Sequence, residues 1–312
     1  MANKPIILIT IDVEDWFQVE NLRNWISSDE WGTFALRVEK NTRKILDLLD
    51  NKDIVSVLTA DSKNKDIDYN RRTHAAKIKA TFFVLGWIAQ RVPNLVREIH
   101  ARGHEVASHG YSHIMCNLLD LKSLEVELVK SKKLLEEIIG DSVKGYRAPS
   151  FSINNDVIKL LKKIGYSYDS SFNSFSKHGR YGHLGLNGFP KKGIAYKLGQ
   201  EFSEIPISNL NLFGRIIPWG GGGYFRLIPP IIFKTGIKRI LKQDGTFMFY
   251  LHPWEIDHGQ PRIEEASGFN AWRHYKNLDK TFSRLRNLIL SFDDCYFLTC
   301  SQYLEKLNNE RN

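Results

Sequence analysis

The sequence has few cysteines and no long apolar run. Its 312 residues include only Cys116, Cys295 and Cys300, an odd number with no closely spaced pair, so neither a disulfide framework nor a thiolate metal site is indicated. The apolar run from Ile6 to Ile11 is short and meets acidic residues directly, which is not the pattern of a signal peptide. No stretch approaches the roughly 20 apolar residues that cross a bilayer. We therefore expect a cytoplasmic protein.

The sequence also lacks the motifs of nucleic-acid and nucleotide binding. Lys and Arg total 44 against 35 Asp and Glu, a formal net charge of +9, but the basic residues are scattered through predicted helices. No helix-turn-helix, zinc-finger or aromatic RNA-binding pattern accompanies them, and no glycine-rich phosphate loop follows the first apolar run. We expect no nucleic-acid partner. The positive charge would suit peripheral contact with an anionic membrane or a pyrophosphate-linked glycan.

What the sequence does contain is an alternation of short β-branched runs and amphipathic runs, with 42% apolar and 25% charged residues. This alternation is typical of an α/β fold with a parallel sheet and crossover helices. The predicted strands are Ile6 to Ile11, Ala80 to Leu85, Glu105 to Ser108, Lys144 to Arg147, Ser167 to Asp169, Glu204 to Ile207, Thr246 to Leu251 and Tyr296 to Thr299. The predicted helices are Thr42 to Leu49, Pro93 to Arg102, Leu121 to Ile139, Asp156 to Ile164, Pro230 to Lys242 and Leu278 to Leu290. This count favours a barrel, with an open doubly wound sheet as the alternative.

Two segments interrupt the alternation. Residues 51–77 are polar and have little periodicity, which indicates a surface insertion. Phe172 to Gln200 is rich in Gly, Ser, Asn and aromatic residues, and we interpret it as a long loop over one barrel face, where such loops carry substrate contacts. No linker divides the chain, so we expect one domain over residues 1–312.

Three carboxylates follow the first predicted strand. Alternation along an extended backbone points Asp12 and Glu14 the same way, with Asp15 next to them. Acidic residues at a strand end are commonly a solvated loop. Carboxylates crowded together repel one another, however, so a bound cation or a division of roles would explain the cluster.

A pair of histidines in ASHGYSH could supply further metal ligands. His109 and His113 are four residues apart, so one helical turn would place both imidazoles on the same side. Two histidines and a carboxylate form a site that leaves positions open for water and substrate, which is the arrangement of catalytic rather than structural metals.

Polar residues end three further predicted strands. Arg147, in GYRAPSF, could hold a catalytic carboxylate by a charge-assisted hydrogen bond. Asp169, in SYDSS, and His252, in FYLHPW, could form a pair in which the aspartate raises the pKa of the histidine and fixes its tautomer. Since side chains at the carboxyl ends of barrel strands converge on one mouth, we expect all of these residues to share a site.

The motifs TIDVEDW, SHGYSH, GYRAPSF, YDSS and YLHPW, in this order, resemble the five motifs of the polysaccharide deacetylases with the NodB homology domain, carbohydrate esterase family four. The resemblance runs from about Ile6 to Tyr303. More narrowly, ATFFVLGW, GGGYFRL, LHPWEID with QPR, and FNAWRHYKNL are similar to the deacetylase encoded with exosortase (PEP-CTERM) exopolysaccharide systems, with residues 210–305 as a portion specific to that group.

The resemblance implies a distorted (β/α)7-type barrel and metal-dependent hydrolysis of N-acetyl groups on an N-acetylated polysaccharide or oligosaccharide. It implies a divalent ion, zinc or else cobalt or nickel. The roles that it assigns are general base for Asp12, metal ligand for His109 and His113, orientation of the base for Arg147, general acid for His252, and tuning of that acid for Asp169.

The first motif departs from the family pattern, which has two adjacent aspartates. Here Asp12 is followed by Val13, Glu14 and Asp15. Similar sequences suggest Glu14 as the third metal ligand, and Asp15 stays open as the alternative.

Aromatic residues near the motifs could stack on sugar rings or simply pack in the core, the candidates being Trp16, Trp87, Trp219, Tyr224 and Trp254. The run Gly220 to Gly223 could shape a substrate loop. Two other functions are compatible with the sequence: an amidohydrolase of the same fold that cleaves a small cyclic or linear amide, and a catalytically silent glycan-binding protein.

Overall fold

The sheet is built around the first strand. In the computed structural model, which describes residues 4–50, 78–175, 179–266 and 268–310, β1 (Ile6–Val13) is buried at all eight positions. It pairs in parallel with β11 (Thr246–Leu251) on one side and β2 (Ala80–Val84) on the other. A strand that is apolar at consecutive positions is typical of a parallel sheet covered on both faces. The predicted insertion, 51–77, lies outside the described residues.

The other strands continue this sheet on the β2 side. The parallel members are β3 (Glu105–Ser108), β4 (Gly145–Tyr146), β5 (Tyr168–Asp169) and β8 (Ser203–Glu204), and the antiparallel ones are β6 (Lys191–Lys192) and β7 (Ala195–Lys197). The order is β11-β1-β2-β3-β4-β5-β8-β7-β6, with β12 (Tyr296–Phe297) beside the start of β1. A separate hairpin comprises β9 (Asn209–Leu212) and β10 (Arg215–Pro218).

Helices alternate with these strands. They are α1 (Val38–Leu49), α2 (Gly86–Arg91), α3 (Pro93–Ala101), α4 (Leu121–Ile139), α5 (Asn155–Ile164), α6 (Gly222–Leu227), α7 (Pro230–Asp244), α8 (Gly268–Tyr275), α9 (Leu278–Ser291) and α10 (Cys300–Asn309). The boundaries follow local chemistry. Asp120 caps α4 by accepting the backbone N–H groups of Lys122 and Ser123, and Gly140, at φ 69°, ends it. Within the described ranges, no helix has the length and apolar character of a membrane span.

The sheet curls into a half-barrel whose gap is crossed by single hydrogen bonds. Gly220 donates its N–H to the carbonyl of Ser208 and accepts the N–H of Tyr250, both at 2.8 Å. These bonds connect the chain that follows β8 to β11. Since parallel neighbours follow the chain order and β11 returns beside β1, the predicted α/β barrel class is confirmed and the doubly wound alternative is wrong.

Several elements differ from the sequence prediction. The loop predicted over Phe172 to Gln200 contains β6 and β7, and Thr299, predicted to end a strand, caps α10 instead. The short helices α2, α6 and α8 were not predicted, because each begins at a glycine and is too short to show periodicity. That the chain forms one domain stays a prediction, although β1 and β11 come from its two ends.

We predict that Gly220→Ala destabilises the fold. A Cβ at this position would lie 2.7 Å from the carbonyl oxygen of Met248 and 2.8 Å from that of Ser208, so the hydrogen bonds across the gap must open to admit it. Urea titration should show a loss of about 1–3 kcal/mol in the free energy of unfolding. Gly185→Ala is the matched control, because its Cβ would meet nothing within 4 Å, and an equal loss in both variants would contradict the prediction.

Candidate active site

The three carboxylates at the end of β1 have two different surroundings: two line a cleft, and the third bonds to backbone. Asp12 and Glu14 are buried and line one cleft, as alternation along the strand predicts. Asp15 turns away from it. Its Oδ2 accepts the backbone N–H groups of Arg37 at 2.6 Å and Val38 at 2.8 Å, which anchors the start of α1. Asp15 therefore binds the backbone at the start of α1. Glu14 is the carboxylate that lies beside His109 and His113.

The two histidines lie in a loop rather than on a helical turn. His109 directly follows β3, and the chain then reverses through left-handed residues, Gly110 at φ 76° and His113 at φ 55°. The first two N–H groups of α2 donate to the carbonyls of Gly110 and Tyr111, which fixes the loop. The predicted helical turn is wrong, but the reversal still brings the imidazole centroids within 5.3 Å of each other.

The donor atoms of Glu14, His109 and His113 lie within 4.8 Å of one another. His109 Nδ1 is 2.8 Å from the carbonyl oxygen of Arg147, which can only accept, so a neutral His109 carries its lone pair on Nε2. That atom lies 3.1 Å from Glu14 Oε1, and the buried His113 Nε2 lies 3.2 Å from the same oxygen and makes no hydrogen bond to any residue that the structure describes. Lone pairs and a carboxylate oxygen that face one another fit a divalent cation.

Arg147 holds Asp12 in place. Its guanidinium is fully buried and donates from Nη1 to Asp12 Oδ1 and to Thr10 Oγ1, both at 2.7 Å. It also donates from Nε to the carbonyl of Ser170 and from Nη2 to the Ser170 hydroxyl, both at 2.9 Å. Because four hydrogen bonds fix the guanidinium, the Asp12 carboxylate has one orientation, with Oδ2 directed toward His252.

His252 follows β11 and faces the same carboxylates. Its Nε2 lies 3.5 Å from Glu14 Oε1 and 3.9 Å from Asp12 Oδ2, and its Nδ1 lies 2.9 Å from Glu255 Oε1. Burial by itself would lower the pKa of His252, but the charges of Glu14, Glu255 and Asp12 raise it to about 9. In the metal-free protein these charges therefore favour the protonated imidazole at neutral pH.

The predicted pairing of Asp169 with His252 is wrong. Asp169 accepts the Ser171 hydroxyl at 2.6 Å and its backbone N–H at 3.1 Å, and its register partner on the neighbouring strand is Glu204. Burial raises the pKa of both Asp169 and Glu204, and the proximity of the two carboxyls raises that of Glu204 further. Asp169 therefore bonds to Ser171 and lies beside Glu204 on the neighbouring strand. The carboxylate that contacts Nδ1 of His252 belongs to Glu255.

Glu255 and its partner Arg226 are site residues that the sequence reasoning missed. Arg226 Nε donates to Glu255 Oε2 at 2.7 Å, and both side chains are buried. Arg226 Nη1 also donates to the carbonyls of three residues at and after the end of α8, Arg273, His274 and Lys276. Burial would raise the pKa of Glu255, but Arg226 and His252 lower it to about 2, so it is ionised. The three-residue spacing of His252 and Glu255 could have predicted their contact from the sequence. No local pattern of residues indicated that Arg226 would pair with Glu255.

Most of the candidate sugar-stacking aromatics pack elsewhere. Trp16 packs edge-on against Phe34, Trp87 lies under the guanidinium of Arg91, and Trp219 stacks on Phe233. Trp254 lines the cleft, where it stacks on the His252 ring at 5.3 Å, and it packs on its other side against His274 at 4.4 Å. Because its ring stacks on that of His252, Trp254 also orients the imidazole. Tyr224 lies under the guanidinium of Arg273.

Comparisons with known proteins divide the chain into two adjoining segments. Residues 73–168 match the family model described as polysaccharide deacetylase, and residues 170–305 match a domain of unknown function, DUF3473. The site described above takes His109, His113 and Arg147 from the first segment and His252 and Glu255 from the second. The two segments contribute to one sheet and one cleft.

Curated relatives are similar over parts of the chain. A peptidoglycan deacetylase-like protein of Gibberella zeae is 29% identical over 194 residues, 61% of this chain and 49% of the relative. A peptidoglycan-N-acetylglucosamine deacetylase of Bacillus cereus is 33% identical over 90 residues, 29% of this chain and 42% of the relative. A chitooligosaccharide deacetylase of Sinorhizobium fredii is 31% identical over 90 residues, 28% and 42% respectively. The chain thus spans less than half the length of these relatives.

Solved structures share the fold. A Mycobacterium smegmatis protein provisionally named a polysaccharide deacetylase superposes with a TM-score of 0.58 at 17% identity, over all of this chain and 93% of that one. The PuuE allantoinase superposes with a TM-score of 0.53 at 15% identity, over 97% and 90%. At these identities the likeness establishes the fold alone.

We predict that Glu255→Gln lowers the pKa of His252 below about 9, because a neutral amide no longer stabilises the imidazolium. Titration of the His252 ring signals by NMR in metal-free protein measures the change. Asp169→Asn is the matched carboxylate control and should leave that titration in place, since Asp169 bonds Ser171 instead. A fall in the pKa of His252 after Asp169→Asn, with none after Glu255→Gln, would instead support the predicted pairing of Asp169 with His252.

Proposed function

We propose that this chain, whose residues 73–168 match the polysaccharide deacetylase family model, is a hydrolase that removes N-acetyl groups from the amino sugars of a glycan. The observation that carries the proposal is the placement of a fixed carboxylate, Asp12, and a protonated imidazole, His252, at one cleft beside the cluster of Glu14, His109 and His113. A hydrolysis that needs one base and one acid can use this arrangement.

The cluster of Glu14, His109 and His113 would hold a divalent ion, for which zinc, cobalt and nickel are the candidates. When bound, such an ion supplies Lewis-acid polarisation of a carbonyl and lowers the pKa of water to about 7. Among the chain's own groups, the carbonyl of Arg147 orients His109 by accepting from Nδ1, and Glu14 provides the single negative charge of the ligand set.

Asp12 accepts the proton of the attacking water. Arg147 Nη1 donates to Oδ1 of Asp12, which leaves Oδ2 available in the cleft. The water oxygen then bonds to the acetamide carbon as the π electrons of the carbonyl move to its oxygen, and these electrons reform the carbonyl when the carbon–nitrogen bond breaks. Because Asp12 is held by a buried cation, it does not need to reorient when the proton arrives.

His252 supplies the proton that the departing nitrogen needs. Its Nδ1 faces the ionised Glu255, so the proton that it can give up is on Nε2, on the side of Asp12 and Glu14. The carbon–nitrogen bond breaks as the amine takes this proton, and acetate and a free amino sugar are released. The proton on Asp12 and the one lost from His252 balance when the site resets through solvent.

The motifs that resemble the exosortase-associated deacetylases support an exopolysaccharide, or its lipid-linked precursor, as the glycan. These motifs include residues that carry the site, since LHPWEID contains His252 and Glu255 and GGGYFRL contains Arg226. A cytoplasmic location and contact with anionic membranes stay predictions.

The function is tested by acetate release from acetylated oligosaccharides after metal is removed and added back. Asp12→Asn and His252→Gln should each lower kcat by about 100-fold or more, the contribution typical of a general acid or base. His258→Gln, a change of the same chemistry at an exposed surface histidine, should keep the wild-type rate. Undiminished rates in both site variants would reject the proposal, and turnover of cyclic ureides without acetate release would favour a different amide as substrate.

We further expect Glu14→Gln to weaken binding of zinc by at least about 10- to 100-fold, which is typical of changes even in groups that only contact a metal ligand. Asp15→Asn should bind zinc with wild-type affinity but unfold at a lower temperature, because its carboxylate anchors α1 rather than the cluster. Calorimetric titration and thermal melting measure the two effects. Loss of zinc in Asp15→Asn alone would identify Asp15 as the ligand.

A further inference from the structure

Two arginines line the active-site cleft without a carboxylate partner. Arg180 lies in the chain after β5, and Arg273 lies near the end of α8. In the described part of the chain, no carboxylate oxygen lies within 4.0 Å of either guanidinium. Arg180 Nη2 donates to the side-chain oxygen of Asn21 at 3.1 Å, and the guanidinium of Arg273 lies over the Tyr224 ring at 4.7 Å. These contacts position the two cations but do not neutralise them.

The acidic residues of the cleft are already committed to other groups. Their partners are Arg147 for Asp12, the histidine pair for Glu14, Arg23 for Glu20 and Arg226 for Glu255. The charge of Arg180 and Arg273 is therefore in excess of what the protein itself balances at the cleft. A divalent ion in the histidine cluster would add to this excess.

Both arginines line the cleft together with Tyr181 and Tyr250. Burial raises the pKa of the Tyr181 hydroxyl, and the charges of Arg273 and Arg180 partly offset that rise. Tyr181 is hydrogen-bonded to Tyr250, whose ring centroid is 5.8 Å from that of His252. The excess charge thus lies in the same cleft as His252, the proposed general acid.

We infer that Arg180 and Arg273 bind a carboxylate or phosphate group of the acetylated substrate, which makes the substrate an anionic glycan. The inference rests on the proposed N-deacetylase function. Guanidinium groups match the planar geometry of carboxylate and phosphate oxygens and bind them through paired charge-assisted hydrogen bonds. A neutral chitin-type sugar would leave both charges unbalanced beside the metal cluster.

The oxyanion could belong to a uronic acid within the glycan or to a phosphate at the reducing end of the amino sugar. Hyaluronan oligosaccharides, in which N-acetylglucosamine alternates with glucuronate, represent the first source. UDP-N-acetylglucosamine, with its pyrophosphate, represents the second. Chitooligosaccharides of the same length are the neutral reference. A preference for one anionic probe over the other identifies the source.

The variants are Arg180→Gln and Arg273→Gln, singly and together, with Arg→Lys at each position as the charge-retaining rescue. Arg97→Gln removes one charge from an exposed position on α3 as the matched control. We expect kcat/KM for the preferred anionic probe to fall about 10- to 100-fold in each Gln variant, the loss typical of a hydrogen bond to a charged group. The neutral probe should change less than about threefold. Rising salt should slow turnover of the anionic probe only.

Equilibrium binding of the same probes separates this inference from the proposed function. If no probe releases acetate but the wild type binds an anionic probe and the Gln variants lose that binding, the deacetylase function is rejected and the anion site stands. If neutral and anionic probes are bound and turned over equally, or if the Gln variants impair both alike, the anion site is rejected and the deacetylase function stands. If the wild type binds neither anionic probe, the anion site is likewise rejected.

Discussion

The buried guanidinium of Arg147 is the interaction on which the site depends. It joins β1, through Thr10 and Asp12, to the chain that follows β5, through Ser170. The carbonyl of the same residue orients the ring of His109. A cation without access to water is tolerated only when its hydrogen bonds are satisfied, so the strands that carry the proposed base and a candidate metal ligand must be assembled correctly before Arg147 can be buried.

A second buried arginine does the same for the proposed acid. Arg226 is held by the carbonyls at the end of α8, it pairs with Glu255, and Glu255 in turn bonds Nδ1 of His252. The site therefore contains two chains of alternating charge, which run from Arg147 to Asp12 and from Arg226 to His252, and they meet at the cleft. Each chain fixes a proton-transfer group without placing an unpaired charge in the interior.

The segment of unknown function contributes strands to the same sheet and side chains to the same cleft as the first matched segment. It supplies β8 and β11 to the sheet that begins with β1, and Gly220 crosses the remaining gap by hydrogen bonds on both sides. It also supplies the imidazole, its supporting carboxylate and the two arginines whose charge the cleft leaves unbalanced. In this molecule, the first matched segment carries the candidate ligands His109 and His113, while Glu14 precedes that segment. The second matched segment carries the proposed acid and the groups that would contact the substrate.

The sequence by itself determined which strands are buried and which polar residues end them. The runs that end at Asp12 and His252 are short and mainly apolar, and those that end at His109 and Arg147 are short and partly polar. Alternation along an extended chain is a local property, so both the strand positions and the convergence of these residues were predictable. The choice between Glu14 and Asp15, the replacement of Asp169 by Glu255, and the loop path between the two histidines were decided by tertiary structure. The physical reason is that each depends on contacts with groups distant in sequence, such as the N–H groups that begin α1 and the guanidinium of Arg226, and no local pattern of residues specifies where those groups will lie.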